Sequence, residues 1–199
     1  MDYLEFIIKM QGIAKIGLKF SKDAYALENY AQIESLSKAM LEKYTQQEIE
    51  KDNYFVRDIY PTPNISVRVI IEEQGKLLMV REIKEQKYSV PGGWCDLFEN
   101  AKENAISEVL QESGYEVEIE RLLAIFNRSE YLPKKSSVSE YALYFSAKII
   151  GGCAQVSHET DDVAFFEIEK LPQLSFKNTQ QELNKALDVY YNDKETYFD

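Results

Sequence analysis

Two glutamates four residues apart, Glu108 and Glu112, are the side chains of this sequence best suited to chemistry. On a helix turning about 100° per residue they project within about 40° of each other, with Gln111 on the adjoining side. Carboxylates so placed repel each other in a bare helix by roughly 0.2–0.5 kcal/mol, and a cation is the natural compensation. Hard oxygen ligands of this kind suit Mg²⁺ or Mn²⁺, with waters and phosphate oxygens completing an octahedron. Upstream stands Gly92-Gly93, where small residues let the backbone turn sharply and approach a ligand closely. A glutamate pair alone reads first as a solvated acidic face; the paired glycines point toward a metal.

The segment around these residues carries its own helix signals. Asn100 is a good N-cap, Glu103 follows three residues later, and Gly114 suits the C-terminal cap. Ala101, Ala105, Val109 and Leu110 spread across the side that would pack on a sheet. Strand-like runs flank this helix: Ile65–Glu73 and Lys76–Arg81, joined by the hairpin signal Gln74-Gly75, then Tyr115–Phe126, Val138–Ile150 and Val163–Ile168. A closing helix is expected over Asn178–Tyr191. Strands interrupted by one helix and ended by another predict an α/β (α+β) fold with helices on the faces of a mixed sheet.

Before this lies a different texture. Residues 2–20 carry Leu4, Ile7, Ile8, Ile13 and Ile16 at helical spacing, and Tyr30, Ile33, Leu36, Met40 and Tyr44 recur likewise after the break at Ser21-Lys22-Asp23. A helical hairpin is expected. The polar stretch after Gln46, ending in Pro61-Thr62-Pro63, cannot continue a helix. We place the boundary there, giving an N-terminal helical domain, 1–60, and a second domain, 61–199.

Composition removes several function classes. The 199 residues are 45% hydrophobic and carry a formal net charge of −11, so disorder and nucleic-acid binding are disfavoured. A polyanionic small molecule is still compatible, since a metal reverses the local field. No apolar run is long enough to span a bilayer and the first ten residues lack a basic leader pattern, so a cytoplasmic protein without membrane contact is expected. Cys95 and Cys153 read as free thiols. With one histidine, His158, in a polar stretch, and with neither GxSxG nor GxxxxGK[ST], the search narrows to carboxylates.

Residues 91–115, PGGWCDLFENAKENAISEVLQESGY, resemble the Nudix box, GX5EX7REUXEEXGU with U aliphatic. The register falls on Gly93, Glu99, Ser107, Glu108, Val109, Gln111, Glu112, Gly114 and Tyr115, with the spacing intact. Ser89-Val90-Pro91-Gly92-Gly93-Trp94 is similar to the family's approach strand, and the helical N-terminus resembles a subgroup that includes ADP-ribose and CDP-choline pyrophosphatases. The resemblance implies a Nudix-type α/β/α sandwich and Mg²⁺- or Mn²⁺-dependent hydrolysis of a diphosphate linkage in a nucleoside diphosphate derivative. It further implies a metal site at Gly93, Glu108, Gln111 and Glu112, and structural roles for Gly92, Glu99 and Gly114. The added domain suits homodimerisation or capping.

Two positions depart from the pattern. Ser107 replaces an arginine that would hold the box carboxylates through charge-assisted hydrogen bonds, and Gln111 replaces a carboxylate, offering only a neutral oxygen. A weaker surviving metal site is expected, with a non-catalytic nucleotide-binding sensor or scaffold as the alternative. Glu108 and Glu159 are the candidates for the proton-accepting base beside Glu112. Arg68 and Arg81 could meet phosphate, and Trp94 could stack on a base.

Overall fold

A computed structural model of the chain describes residues 3–45, 62–96, 99–133 and 139–199. The expected boundary near residue 60 and the start of the strand expected from Val138 lie outside the described residues. The chain divides into two compact units, one built on the N-terminal helices and one on residues 64–132 and 140–199.

The first unit is the expected helical hairpin: α1, Tyr3–Phe20, and α2, Ala24–Thr45. Asp23 starts α2 by accepting the N–H of Ala26 at 2.8 Å, as a short carboxylate at a helix start should. Leu4, Ile7 and Leu41 form a small core with Ile8 packed against it. Gly17 lies directly under the ring of Tyr30, where a Cβ would collide. Gln11 donates to Glu34 at 3.1 Å and accepts from Ser37, so the polar groups enclosed between the helices are paired.

Among its described residues the second unit holds eight strands and two α-helices: β1 Asn64–Ile70, β2 Glu72–Glu73, β3 Lys76–Glu82, β4 Lys87–Ser89, α3 Ala101–Ser113, β5 Tyr115–Asn127, β6 Glu140–Gly152, β7 Thr160–Glu167, α4 Gln180–Tyr191 and β8 Tyr197–Phe198. The strands are shared between two sheets. One is mixed, in the order β1-β6-β5-β8, with β1 parallel to β6 and β5 antiparallel to it. In the other, β3 pairs antiparallel with β2, β4 and β7. Gln74 and Gly75 both take positive φ, 54° and 78°, the two-residue turn that matches strand twist.

Apolar residues separate onto two faces. Val67, Val69, Ile71, Leu78, Phe145 and Ala147 pack with Ala105 and Val109 of α3. Ile70, Leu77, Met79, Ala142 and Tyr144 pack with Leu183, Ala186 and Leu187 of α4. Burial on both faces explains why β1 and β3 read as near-continuous apolar runs. The α/β layering expected from the sequence is present; β4 and β8, of three and two residues, are too short to leave a periodic signal.

Candidate active site

The site is built where the Gly92-Gly93 turn is laced to β1. Val69 N–H donates to the Pro91 carbonyl at 2.9 Å, Val67 N–H to Gly93 at 2.9 Å, and Cys95 N–H to Ile65 at 3.0 Å. This lacing brings Gly92, with φ of 149°, so close to β1 that a Cβ would strike the Val67 carbonyl. Gly93 passes so close to the Glu108 carboxylate that a Cβ there would push it aside. Gly92 is therefore required by its backbone conformation and by the strand it touches, whereas Gly93 keeps the Glu108 carboxylate in place.

Helix α3 delivers that acid. Asn100 and Glu103 form the reciprocal capping box, and Gly114 ends the helix in the left-handed conformation. Ala105 and Val109 fix the helix on the sheet, and Thr160 Oγ1 donates to the Glu112 carbonyl at 2.8 Å, tying its end to β7. The four-residue spacing then turns Glu108 and Glu112 toward the glycine turn.

The two acids have different surroundings. Glu112 is buried, 2% exposed. Its Oε2 accepts Gly92 N–H at 2.8 Å, and its Oε1 lies 2.7 Å from the Lys177 ammonium. Lys177 also reaches Glu82 Oε1 at 2.8 Å, and Glu82 accepts from the Ser89 hydroxyl at 2.8 Å. Burial pulls the Lys177 pKa down, but the charges and hydrogen bonds of Glu112 and Glu82 outweigh it and hold the ammonium above its ordinary value. Glu108, half-buried, makes no hydrogen bond or ion pair with any described residue. Burial, then the Glu112 charge, push its carboxyl up to about 7; Lys177 and Arg68 oppose the rise and Glu159 adds to it.

Beneath lies a second charged group. Arg128 pairs with Glu182 at 3.0 Å and Glu140 at 3.2 Å, and donates to the Phe176 carbonyl. Arg68 approaches Glu140 at 3.7 Å and donates from Nε to the Lys177 carbonyl at 3.1 Å. Asn178 accepts Val90 N–H at 2.9 Å and donates to the Tyr144 hydroxyl at 2.7 Å. The backbone of residues 176–178 is thus clamped on three sides.

The structure brings Gly92, Gly93, Glu108 and Glu112 together, with Arg68 behind them. Glu159 is exposed on the loop before β7, close enough for its charge to act on Glu108. Gln111 is exposed, and its amide donates to Ser107 Oγ at 2.8 Å, so the two departures from the box pattern satisfy each other. Trp94 is half exposed beside the turn, bridged to Ser66. Arg81 pairs with Asp161 at 2.7 Å on the surface, and Gln86 shares that carboxylate. Glu99 is exposed just before the helix cap.

Sequence reasoning missed Lys177, Glu82 and the Arg128–Glu140–Glu182 group. Of these only Glu82 leaves a local signal, a charged side chain closing the strand KLLMVRE whose middle is apolar. Among the described residues no three His, Cys, Asp or Glu side chains converge on one point. The Gly93 carbonyl accepts Val67 N–H and is approached by Arg68 Nη1 at 3.4 Å, so the open donors are the two carboxylates, which fits an ion that keeps several waters and takes one or two carboxylates plus substrate phosphates.

Comparison with known proteins agrees with this geometry. The family model of the NUDIX domain matches residues 61–187, and that of a UDP-X-like N-terminal oligomerisation domain matches residues 1–53. The chain belongs to the Nudix hydrolase family. It is 34% identical over 201 residues to YjhB of Bacillus subtilis (strain 168), provisionally named an ADP-ribose pyrophosphatase, covering 99% of this chain and 97% of that protein. A crystal structure of UDP-X diphosphatase superposes with a TM-score of 0.67 at 29% identity, covering 100% of this chain and 98% of the other. An ADP-ribose pyrophosphatase from Streptococcus suis 89-1591 gives 0.63 at 33% identity, over 69% of this chain and 100% of its own.

Proposed function

We propose that this chain hydrolyses the diphosphate linkage of a nucleoside diphosphate derivative, with ADP-ribose, CDP-choline and UDP-linked compounds as the first candidates. The observation that carries the reading is the carboxylate pair Glu108 and Glu112, gathered on a glycine turn whose first residue is pressed against the β1 backbone. Mg²⁺ or Mn²⁺, held by these carboxylates and a carbonyl of the turn, would lower the pKa of the attacking water and polarise the diphosphate.

The chain's own residues do the rest. Glu112 is oriented by Gly92 N–H, so one of its oxygens is fixed before any ligand arrives. Glu108 has no hydrogen-bond partner among the described residues, which leaves its carboxylate open to the ion or to the proton of the attacking water. Glu159, exposed across from it, is the second candidate for that role. Gln111 retains a free carbonyl oxygen but adds no charge. Arg68 supports the turn from below, through Val67 and the Lys177 carbonyl, and Trp94 offers an exposed face on which a base can stack.

The N-terminal helices serve self-association in this reading. Tyr3, Phe6, Ile13, Phe20, Tyr25 and Leu36 are all exposed on α1 and α2, a density of apolar surface that calls for a partner, and a homodimer is its simplest form. No described helix is long and apolar enough to cross a membrane, and both cysteines are free, which supports a cytoplasmic setting.

Ser107 and Gln111 favour the competing reading, a sensor that binds without turnover. Incubation with Mg²⁺ or Mn²⁺ and ADP-ribose, CDP-choline, UDP-linked sugars and diadenosine polyphosphates, followed by phosphorus NMR, separates the two. The enzyme reading predicts metal-dependent release of a nucleoside monophosphate from at least one compound, reduced about 100-fold or more in Glu112→Gln. Binding without turnover across the panel would overturn it in favour of the sensor.

A further inference from the structure

Lys177 places a positive charge where a divalent ion on Glu112 would have to stand. Its ammonium is 2.7 Å from Glu112 Oε1 and 2.8 Å from Glu82 Oε1, on a side chain only 17% exposed. The other oxygen of Glu112 is already engaged by Gly92 N–H. Every oxygen of the buried acid therefore has a donor, while Glu108 has none. A second cation cannot share Glu112 Oε1 with an ammonium at contact distance, because like charges that close repel strongly where water is scarce.

From this geometry we infer that Lys177 is a tethered cation that occupies Glu112 in the metal-free protein and must leave it for the divalent ion to bind. The inference rests on the metal reading above. What moves is limited by the fold. The Phe176 carbonyl is held by Arg128, the Lys177 carbonyl by Arg68, and Asn178 by Val90 and Tyr144. The loop stays, and the ammonium departs by rotation about its flexible four-carbon stem. Metal loading is then an exchange, in which the site is never left with Glu112 uncompensated.

The exchange makes a prediction opposite to that of an ordinary supporting lysine. Titration with Mn²⁺, following the free ion by electron paramagnetic resonance, should show Lys177→Met binding about ten-fold or more tightly than wild type, and Lys177→Arg no more tightly than wild type. Equal or weaker binding by Lys177→Met, with wild type binding normally, would overturn the exchange and make Lys177 a positioning residue, leaving the proposed activity intact. Failure of both proteins to bind Mn²⁺ would sink the exchange and the metal reading together. Acetylation of the wild type gives a second readout that does not depend on a variant folding. Lys177 should be protected without metal and become several-fold more reactive when Mg²⁺ is added; protection that persists in saturating Mg²⁺ would contradict the exchange.

Discussion

Two groups of charges lie within the sheet-containing unit, and they are built on opposite terms. On the α4 side, Arg68 and Arg128 meet Glu140 and Glu182, two cations against two anions, all buried, with Arg128 hydrogen-bonded to both acids and Arg68 3.7 Å from Glu140. On the α3 side, Glu82, Glu108 and Glu112 share one cation, Lys177, and Glu108 is left without a partner. A buried charge is tolerated when it is paired and costly when it is not. The balanced group is structure: it locks the start of β6, the start of α4 and the loop of residues 176–178 into one arrangement. In the proposed function the unbalanced group is the site, since a divalent ion bound to a polyphosphate would bring the positive charge it lacks.

The largest effect should come from unbalancing the balanced group. Arg128→Met leaves Glu140 and Glu182 buried without their shared partner and should cost roughly 3–5 kcal/mol of stability. Urea denaturation at pH 7.5 measures it, and a loss below about 1 kcal/mol would mean that Arg128 does not hold this region.

A smaller effect of opposite sign is expected on the other side. Folding raises the Glu108 carboxyl from 4.5 to about 7, so the folded chain binds that proton more tightly than the unfolded one. Its contribution to stability is complete below pH about 4.5 and is lost as pH rises through about 7. Metal-free Glu108→Gln should therefore match wild type near pH 4.5 and exceed it by about 1 kcal/mol at pH 8, a figure reduced for the solvent that reaches a half-buried group. Thermal unfolding in chelator across this range tests the sign, which a merely packed side chain would not produce.

The same contrast shows what the sequence could disclose. Helix α3 was legible because Asn100, Glu103 and Gly114 are local signals, and the glutamate pair because four-residue spacing has one geometric meaning on a helix. The central strands were legible from their apolar runs. Lys177 was not, since it lies 65 residues from Glu112 in a polar loop with no periodicity of its own, and it reaches the acid only because β1, β3 and the segment before α4 converge. Arg128, just beyond the run Tyr115–Phe126, is 1% exposed; its partners come from β6 and α4, and nothing local announces them. The hydrogen bond from Gln111 to Ser107 was not legible, because it depends on the two substitutions being present together on one edge of the helix.

The central claim is that the unpaired acid on the α3 side exists to hold a divalent ion against the glycine turn. Titration of Mn²⁺ into wild type and Glu108→Gln at pH 7.5, with free Mn²⁺ followed by electron paramagnetic resonance, tests it without reference to any substrate. Binding to wild type that weakens at least about ten-fold in Glu108→Gln is the predicted result. Equal affinity in the two proteins would contradict it.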